Sequence, residues 1–339
     1  MIQILQLPYE RGNGPMKSAA CIVAIATLVV GAMPASAQTF PTRSITILVP
    51  YVPGGPTDAA ARIVGEHMAA TLGQHVLIEN VSGGSGNIAT ARVARALPDG
   101  HTLLLHQLAI AANVSLFPKA PFDVEKDLTA IGLVNTSPMM IVGRNTLAAN
   151  TAPELAAWMK EPGRQVRFAH AGVGTLAHLC AALFAQAVGV AVDLIPYRGG
   201  SPAMADIVAG HADLYCSTPT IAAEQVLAGT AKGYGVTARD RIASLPNVPT
   251  LIEQGFEIDL QLWHALFAPS GTPRPIIDRL NEALRRALAD PKVIASFAVN
   301  EVTVFPAAQQ SPEAAANLVH AEIVRWGGII RANRIEATQ

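Results

Sequence analysis

Three short glycine-rich segments contain the residues whose types and spacing could do chemistry in this sequence. They are Pro50 to Asp58, Ser82 to Asn87 and Ala171 to Thr175, and each stands between a short apolar run and a helix-like pattern. Glycine lets a backbone approach another group closely, and the free N–H groups at the start of a helix attract an anion. The chemistry that these turns could do is therefore the binding of an anion through backbone donors.

In the first turn, Pro56 would pre-set the first helical turn without wasting a backbone donor. The N–H groups of Gly55, Thr57 and Asp58 would then point into the crevice at the carboxyl end of the preceding strand, where ligands bind in open α/β sheets. The carboxylate of Asp58 would also stabilise the helix, and so would partly offset the positive end that a ligand feels. A tight, well-capped loop without a ligand is the alternative interpretation.

His178 follows the third glycine-rich segment and lies in the first helical turn of the predicted helix. The helix dipole disfavours a positive charge there, so we expect a neutral imidazole that bonds to a ligand or to the backbone. A purely structural histidine is the alternative. Glycine-rich turns on both sides of one cleft would suit a ligand with one carboxylate per side.

Three other kinds of site have weaker support. Gly172, Gly174 and Ala177 fit the loose G-x-G-x-x-A dinucleotide pattern, but Asp193 falls at the start of its strand rather than at the end. Residues 83–87 resemble a nucleophile elbow but lack the final glycine of G-x-S-x-G. The nine histidines show no H-E-x-x-H motif and no paired spacing with cysteine. The sequence therefore predicts no catalytic residues, no metal and no cofactor.

The composition bounds the class of protein. Of the 339 residues, 50% are hydrophobic, 14% are charged and 5% are aromatic, which is typical of a compact α/β protein. A chain of this length usually forms about two domains. The formal net charge is −1, and no run of Lys or Arg forms a basic stripe. No nucleic-acid partner is therefore expected.

The N-terminal segment has the pattern of an export signal. A basic start at Met16 and Lys17 precedes an apolar run over 19–30, and small residues over 34–37 end it. We expect cleavage after Ala37 and a periplasmic mature protein. A membrane anchor is disfavoured because a transmembrane helix needs about 20 apolar residues. Met16 competes with the first methionine as the start of the protein.

Two of the three cysteines remain after this cleavage, since Cys21 lies in the signal segment. Cys180 and Cys216 would then stand in an oxidising compartment, where a disulfide is chemically possible. Two buried, unpaired small side chains are the alternative, and the sequence leaves the choice open.

The glycine-rich turns are positioned by alternating strand-like and helix-like segments, which predict a mainly parallel sheet with helices on both faces. The predicted strands are 45–51, 75–80, 102–106, 166–170, 192–196, 212–216 and 232–237. The predicted helices between them are 58–72, 87–96, 152–160, 175–188, 201–209 and 219–228. Proline in or near the first turn marks three further helices, at 275–288, from 290–291 onward and at 312–331.

Two longer extended stretches, 131–144 and 260–268, interrupt this alternation. A chain that leaves one sheet for another and later returns needs two such passages, so each stretch is a candidate crossing between domains. A cleft between two domains joined by two crossings suits hinge closure around a ligand. The predicted parts of the chain are a leader and signal peptide at 1–37, a first domain at 38–137 plus 262–339, and a second domain at 138–261.

An ordered series of motifs over essentially the whole mature chain resembles the Bug family, the extracytoplasmic receptors of tripartite tricarboxylate transporters. Such a series is more specific than any single glycine loop. The motifs are Phe40–Pro41, Pro50–Asp58, Glu79–Asn80, Gly83–Ile88, Ala96–Leu104, Pro196–Gly199, Leu245–Thr250 and Phe267–Pro273.

The resemblance implies a type II periplasmic-binding-protein fold, with two α/β domains, a ligand cleft and two interdomain crossings. It implies a solute-binding protein rather than an enzyme, which captures a small carboxylate ligand for the membrane components of a tripartite tricarboxylate transporter. A monomer is expected. The alternatives are a ligand sensor for a membrane signalling kinase and, more remotely, an exported hydrolase.

The resemblance also assigns ligand-binding positions on both sides of the cleft. Tyr51 takes the place of a usual aromatic residue beside the first turn, and that turn would hold a carboxylate by its backbone. Ser217 and Thr218 match a polar strand end that lines the distal pocket. The expected ligand-binding residues are Tyr51, Pro53, Gly54, Gly55, Thr57, Asp58, Ser85, Gly86, Asn87, His106, Ala171, Gly172, Val173, Gly174, Thr175, His178, Ser217 and Thr218.

The sequence departs from the family pattern in the expected pocket. Leu108, Val173 and Leu176 fall in segments where family members often carry small polar residues. They make the pocket more apolar than a citrate or aspartate site would be. The sequence therefore favours a monocarboxylate or an aromatic acid over a highly charged tricarboxylate.

Overall fold

The computed structural model describes residues 40–332 and residue 335. Two β-sheets, one of six strands and one of five, form the centres of two α/β lobes in this part of the chain. The expected leader, signal peptide and cleavage after Ala37 lie outside the described residues. Among the helices that are described, none is long and apolar enough to cross a membrane.

The first lobe is built on the six-stranded sheet. Its strands are β1 (Ile45–Val49), β2 (Val76–Asn80), β3 (Thr102–Gln107), β4 (Leu128–Pro138), β10 (Gln261–Pro269) and β11 (Thr303–Val304). They lie in the order β11-β4-β10-β3-β1-β2. Its helices are α1 (Pro56–Leu72), α2 (Asn87–Ala94), α3 (Ala109–Leu116), α4 (Val124–Asp127), α9 (Arg274–Ala289), α10 (Pro291–Ala298) and α11 (Pro312–Ala332).

The second lobe is built on the five-stranded sheet. Its strands are β5 (Met140–Arg144), β6 (Arg167–His170), β7 (Asp193–Pro196), β8 (Leu214–Ser217) and β9 (Ala231–Val236). They lie in the order β7-β6-β8-β5-β9. Its helices are α5 (Ala152–Met159), α6 (Leu176–Val188), α7 (Gly200–Ala209) and α8 (Pro219–Leu227).

The central strands are buried along their length. Residues 47–49 of β1 and residues 103–105 of β3 have no exposed surface. Such continuous burial is expected of apolar strands that are covered on both faces. Helix α9 shows the other pattern, because Ile277, Leu280 and Leu284 are buried at helical spacing while the rest of the helix is largely polar.

The expectation of mainly parallel strands holds for the majority of strands in each sheet, but both sheets are mixed. Strand β10 runs antiparallel to β3 and β4, and β5 runs antiparallel to β8 and β9. The alternation of strand-like and helix-like segments does not predict the direction of a strand that enters a sheet after the chain has crossed from the other lobe. The antiparallel strands β5 and β10 each begin directly after a crossing, which is why the sequence pattern missed their direction.

The long extended stretches of the sequence do contain the crossings between the lobes. The stretch 131–144 is two strands, because β4 ends at Pro138 in the first sheet and β5 begins at Met140 in the second. The chain crosses at Met139 and returns between β9 and β10. The precise domain boundaries stay a prediction.

Thr237 joins the two crossings. Its N–H donates to the Met139 carbonyl at 2.8 Å, and the Met139 N–H donates to the Thr237 hydroxyl at 2.9 Å. That hydroxyl donates to the Leu260 carbonyl at 2.6 Å, and the Leu260 N–H donates to the Thr237 carbonyl at 3.0 Å. The two crossings therefore lie side by side, as a hinge between lobes requires.

A disulfide joins Cys180 of α6 to Cys216 of β8, which answers the question that the sequence leaves open. The two Cα atoms are 6.1 Å apart, within the usual range for bridged cysteines. Both residues are fully buried. The bridge fixes α6 to the strand beside it.

Candidate functional site

Two adjoining cavities lie between the lobes, and Tyr51, Ala171 and Thr175 line both of them. We name the first the apolar cavity; it measures about 60 Å³, and Val52 and Leu176 are among its apolar side chains. The second, the glycine-rich cavity, measures about 450 Å³ and is bounded by residues 82–86 and by the second lobe. The larger volume is typical of small-molecule sites, which span roughly 300–1,000 Å³.

Four helices begin at the apolar cavity, α1 from the first lobe and α6, α7 and α8 from the second. Residues at their starts that line the cavity include Thr57, Ala177, Ser201 and Thr218. The first N–H groups of a helix have no partner within the helix, and the helix dipole makes this end positive. Of the described residues that line the cavity, none has a charged side chain. An anion there would be held by backbone N–H and hydroxyl groups rather than by a salt bridge.

Asp58 shapes the first turn instead of lining either cavity. Its carboxylate accepts hydrogen bonds from the Gly54 N–H at 3.0 Å, from Arg62 at 3.0 Å and from Asn80 at 2.9 Å. Burial alone would raise the pKa of Asp58, but these hydrogen bonds lower it below its ordinary value. The carboxylate is therefore charged and fully engaged in holding the loop.

Thr57 is oriented by two buried side chains behind it. The Nδ1 of His264 lies 2.7 Å from Asn135 Oδ1, which can only accept, so Nδ1 carries the ring proton. Burial lowers the pKa of His264 to about 3, and the neutral ring can then only accept at Nε2. The Thr57 hydroxyl, 3.0 Å from Nε2, therefore donates to the ring.

The Tyr51 hydroxyl accepts a hydrogen bond from its buried partner, whereas the Thr57 hydroxyl donates one. The Nε2 group of Gln107 donates to the Tyr51 hydroxyl oxygen at 2.9 Å, while Gln107 Oε1 accepts from the Ala109 N–H at 3.3 Å. Burial raises the pKa of Tyr51, so the hydroxyl keeps its hydrogen. That hydrogen is free to point toward a ligand.

The turn in the second lobe is held by Thr175 and His178. The Thr175 hydroxyl donates to the Gly172 carbonyl at 2.7 Å, and the Gly174 N–H donates to His178 Nδ1 at 3.3 Å. Burial lowers the pKa of His178 to about 4, so the imidazole is neutral and bonded to the backbone, one of the two arrangements that the sequence suggests. His178 is fully buried and lines neither cavity.

The glycine-rich turns of the two lobes meet at Asn113. Its Nδ2 group donates to the Ser85 carbonyl at 2.9 Å and to Asn87 Oδ1 at 3.2 Å. Gly174 approaches from the other lobe with a φ of +77°, and a Cβ there would overlap Asn113 Oδ1. Gly86 is similarly restricted, because a Cβ there would come within 2.7 Å of His106 Nε2. Both positions therefore require glycine.

The structure brings half of the expected ligand-binding residues to the two cavities. Those that line a cavity are Tyr51, Gly55, Thr57, Ser85, Gly86, Ala171, Gly172, Thr175 and Thr218. Those that line neither are Pro53, Gly54, Asp58, Asn87, His106, Val173, Gly174, His178 and Ser217. The ligand role of every residue in both groups stays a prediction.

Sequence reasoning missed a fourth turn, Gly199 to Ser201, which leads from the second lobe into α7. Its signal was present, since two glycines and Pro202 repeat the chemistry of the first turn. It also missed Gln107, Met139 and Leu262, which line the apolar cavity from strand ends and a crossing. No sequence motif marks these three as cavity residues.

The fold and the cleft define a type II periplasmic binding protein. Solved structures share the fold: the periplasmic binding protein BugD has a TM-score of 0.83 and 35% identity, covering 88% of this chain and 99% of that chain. MatC from Rhodopseudomonas palustris with bound malate has a TM-score of 0.82 and 35% identity, covering 86% of this chain and all of that chain.

Sequence relatives point the same way. Protein BugT of Bordetella pertussis is 34% identical over 310 residues, which cover 91% of this chain and 94% of BugT. Residues 60–335 match the model of the tripartite tricarboxylate transporter family receptors, TctC. The chain belongs to this family, and the resemblance to the Bug family is confirmed. The family and its close structural neighbours are periplasmic binding proteins, not enzymes.

Proposed function

We propose that the protein captures a small carboxylate ligand between its lobes and delivers it to the membrane components of a tripartite tricarboxylate transporter. The observation that carries the proposal is the convergence of four helix starts, from both lobes, on one cavity whose described lining contains no charged side chain. Malate, which MatC binds, is a small carboxylate, and its presence in a structure 35% identical to this chain supports the same ligand class.

The place of action follows from the family and from the N-terminal sequence. Residues 1–37 direct export and are removed after Ala37, and the mature protein acts in the periplasm as a monomer. Its domains, 38–137 plus 262–339 and 138–261, close over the ligand about the paired crossings at Met139 and Thr237.

The apolar lining of the cleft favours a ligand with few charges. Met139, Ile221 and Leu262 contribute apolar surface to the apolar cavity, and burial of that surface stabilises an apolar ligand body. Arg198 lines the adjoining glycine-rich cavity and could pair with a second carboxylate. A monocarboxylate or aromatic acid, or at most a dicarboxylate, suits this arrangement better than a tricarboxylate.

A thermal-shift panel of benzoate, phenylacetate, malate and citrate tests the proposal with the purified protein. A ligand at 100 times its dissociation constant stabilises the folded state by about 2.7 kcal/mol, which is easily measured. We expect a shift with at least one of the first three acids. A shift with citrate alone would contradict the apolar site, and no shift with any carboxylate would contradict the proposed function.

Gly55→Val probes the cavity itself. Gly55 has an ordinary φ of −89°, and among the described residues a Cβ there would meet only the Val52 carbonyl oxygen, at 4.0 Å. The valine therefore fits the fold but fills the space where a ligand would lie, and we expect binding to be lost with little change in melting temperature.

Gly328→Val is the matched control for this substitution. Gly328 is exposed on α11, and a Cβ there would meet no heavy atom of the described residues within 4 Å. We expect normal ligand affinity from this variant. Unchanged affinity in Gly55→Val would show that the first turn is not part of the site.

A further inference from the structure

Thr218 carries a buried hydroxyl that has no hydrogen-bond partner among the described residues. The residue is 3% exposed, lines the apolar cavity and precedes α8, but its side chain does not cap that helix. A buried polar atom without a partner is costly, and native proteins rarely leave one without a reason. A polar group of a ligand in the apolar cavity would supply the missing partner.

The side chain of Thr57 presents only an acceptor to the same cavity. Its hydroxyl hydrogen is directed to the neutral ring of His264, whose own proton is directed to Asn135. The Thr57 hydroxyl oxygen can therefore only accept a hydrogen bond from a ligand, through its lone pairs. Because a carboxylate also has only lone pairs to offer, the Thr57 hydroxyl cannot bond to it and requires a ligand group that donates; the Thr57 backbone N–H remains free to bind a carboxylate.

Tyr51 presents a donor to the cavity. Its oxygen already accepts from Gln107, and its hydrogen is unused by the contacts described above. A neutral O–H beside the starts of four helices suits a carboxylate oxygen. The wall of the cavity therefore contains both a group that recognises a carboxylate and a group that recognises a donor.

A hydroxyl suits Thr57 better than an ammonium group does. The positive ends of four helices meet at the cavity, and no described carboxylate lines it to balance a cation. We propose that the apolar cavity selects carboxylates that also carry a hydroxyl group, with Tyr51 donating to the ligand and Thr57 accepting from its hydroxyl. The inference rests on the proposed carboxylate-binding function and deepens it.

Isothermal titration calorimetry with two matched ligand sets tests this selection in the wild-type protein. Succinate, malate and aspartate share one skeleton that carries hydrogen, hydroxyl or ammonium at one carbon, and phenylacetate, mandelate and phenylglycine form the aromatic counterpart. In the set that binds, we expect the hydroxylated member to bind about tenfold more tightly than the deoxy member. The ammonium member should bind more weakly than either.

Thr57→Val separates this role from general packing, because valine keeps the shape and loses the hydroxyl. We expect the hydroxylated and deoxy ligands to bind this variant within about twofold of each other. Thr57→Ser, which retains the hydroxyl, should restore the preference. The melting temperature of each variant shows whether it is folded. If Thr57→Val does not fold, the titration of the two ligand sets against the wild-type protein decides whether the cavity selects a hydroxyl group.

The outcomes distinguish this inference from the proposed function. Equal or tighter binding of succinate or phenylacetate would overturn the selection for a hydroxyl while leaving carboxylate binding intact. Tightest binding of aspartate or phenylglycine would overturn it as well. Failure of all six compounds to bind, together with no shift in the carboxylate panel, would overturn the proposed function and this inference with it.

Discussion

Buried hydroxyl and imidazole groups around the cleft hold one another in fixed orientations. Asn135 sets the ring of His264, which sets the hydroxyl of Thr57, and His178 accepts from the backbone of Gly174. Each of these groups is buried, so its orientation is not averaged by water. A site whose polar groups are already oriented loses less conformational freedom when a ligand binds.

Gly174 offers a test of the close approach between the two lobes. Gly174→Ala introduces backbone strain at a φ of +77° and also places a Cβ against Asn113 of the other lobe. We expect the strain to cost roughly 1 kcal/mol of unfolding free energy and the obstruction to weaken ligand affinity at least tenfold. Chemical denaturation and calorimetric titration measure the two effects separately.

Gly210→Ala is the matched control, because Gly210 has the same φ of +77° but a Cβ there would have no heavy atom within 4 Å in the part of the chain that the structure describes. It should lose similar stability and keep its affinity. Equal affinity in the two variants would show that the contact at Asn113 does not govern binding.

At the scale of elements, the disulfide fixes two parts of the cavity wall to each other. Helix α6, which begins at the cavity, is bridged through Cys180 to Cys216 near the end of β8. Thr218, which follows β8, also lines the cavity. The bridge therefore maintains the spacing between the helix starts of α6 and α8.

Replacement of both cysteines, Cys180→Ala with Cys216→Ala, should lower stability without changing the fold. The bridge spans 36 positions of sequence, and a closed loop of this size contributes roughly 4 kcal/mol to the free energy of unfolding. Denaturant titration of the wild-type protein with and without a reductant, beside the double variant, measures this loss. A reductant-treated wild type as stable as the oxidised protein would contradict a stabilising bridge.

Most elements could be predicted from the sequence because they carry local signals. The starts of α1, α5, α8 and α10 are marked by proline in the first turn, and the ends of α1, α6 and α7 by glycine in the left-handed conformation. Helix α3 was missed because its residues are nearly all apolar and buried, so no polar face sets a helical period. The antiparallel direction of β5 and β10 was missed because it depends on which lobe the chain has just left.

The candidate site was predictable only where it is made of turns. Glycine-rich turns such as Pro50 to Asp58 can be recognised from the local sequence. Three of the four turns at the cleft were predicted in this way. The wall supplied by Gln107, Met139 and Leu262 depends on how the lobes meet, which no local pattern encodes. Asp58 and His178 have the residue types of a ligand site, but their hydrogen bonds serve the turns that carry them.

At the scale of the whole molecule, the lobes contact each other across the cleft as well as at the crossings. The Ser201 hydroxyl donates to the Gly54 carbonyl at 3.5 Å, and a Cβ at Gly199 would meet Val52 at 2.7 Å. Thr237 joins the two crossings by hydrogen bonds to Met139 and Leu260. This pattern of contacts suits an arrangement in which ligand binding and lobe closure are coupled.

Lowering the pH should destabilise the protein already at pH values well above those at which carboxylates titrate. Burial lowers the pKa of His106, His170 and His178 to about 4 and that of His264 to about 3, against an ordinary value of 6.5. Below pH 6.5 the unfolded chain binds protons that the folded chain does not, so the free energy of unfolding falls until the folded pKa is reached. Each histidine contributes roughly 2 kcal/mol of this loss between pH 7 and pH 5.

Urea denaturation at pH 7, 6 and 5 measures this dependence. We expect the unfolding free energy to fall steadily over the series and to recover when the sample is returned to pH 7. Stability that is constant or higher at pH 5 would show that these histidines are protonated in the folded protein.

In the proposed function, backbone N–H groups from both lobes bind one carboxylate in the cleft. The most direct test is a titration of ¹⁵N-labelled protein, followed by amide NMR, with the carboxylate that gives the largest thermal shift. We expect the amide protons of Thr57 in the first lobe and Ser201 in the second to move downfield along one saturation curve. Saturation of the protein with neither amide moving, or with only one lobe responding, would contradict the proposal.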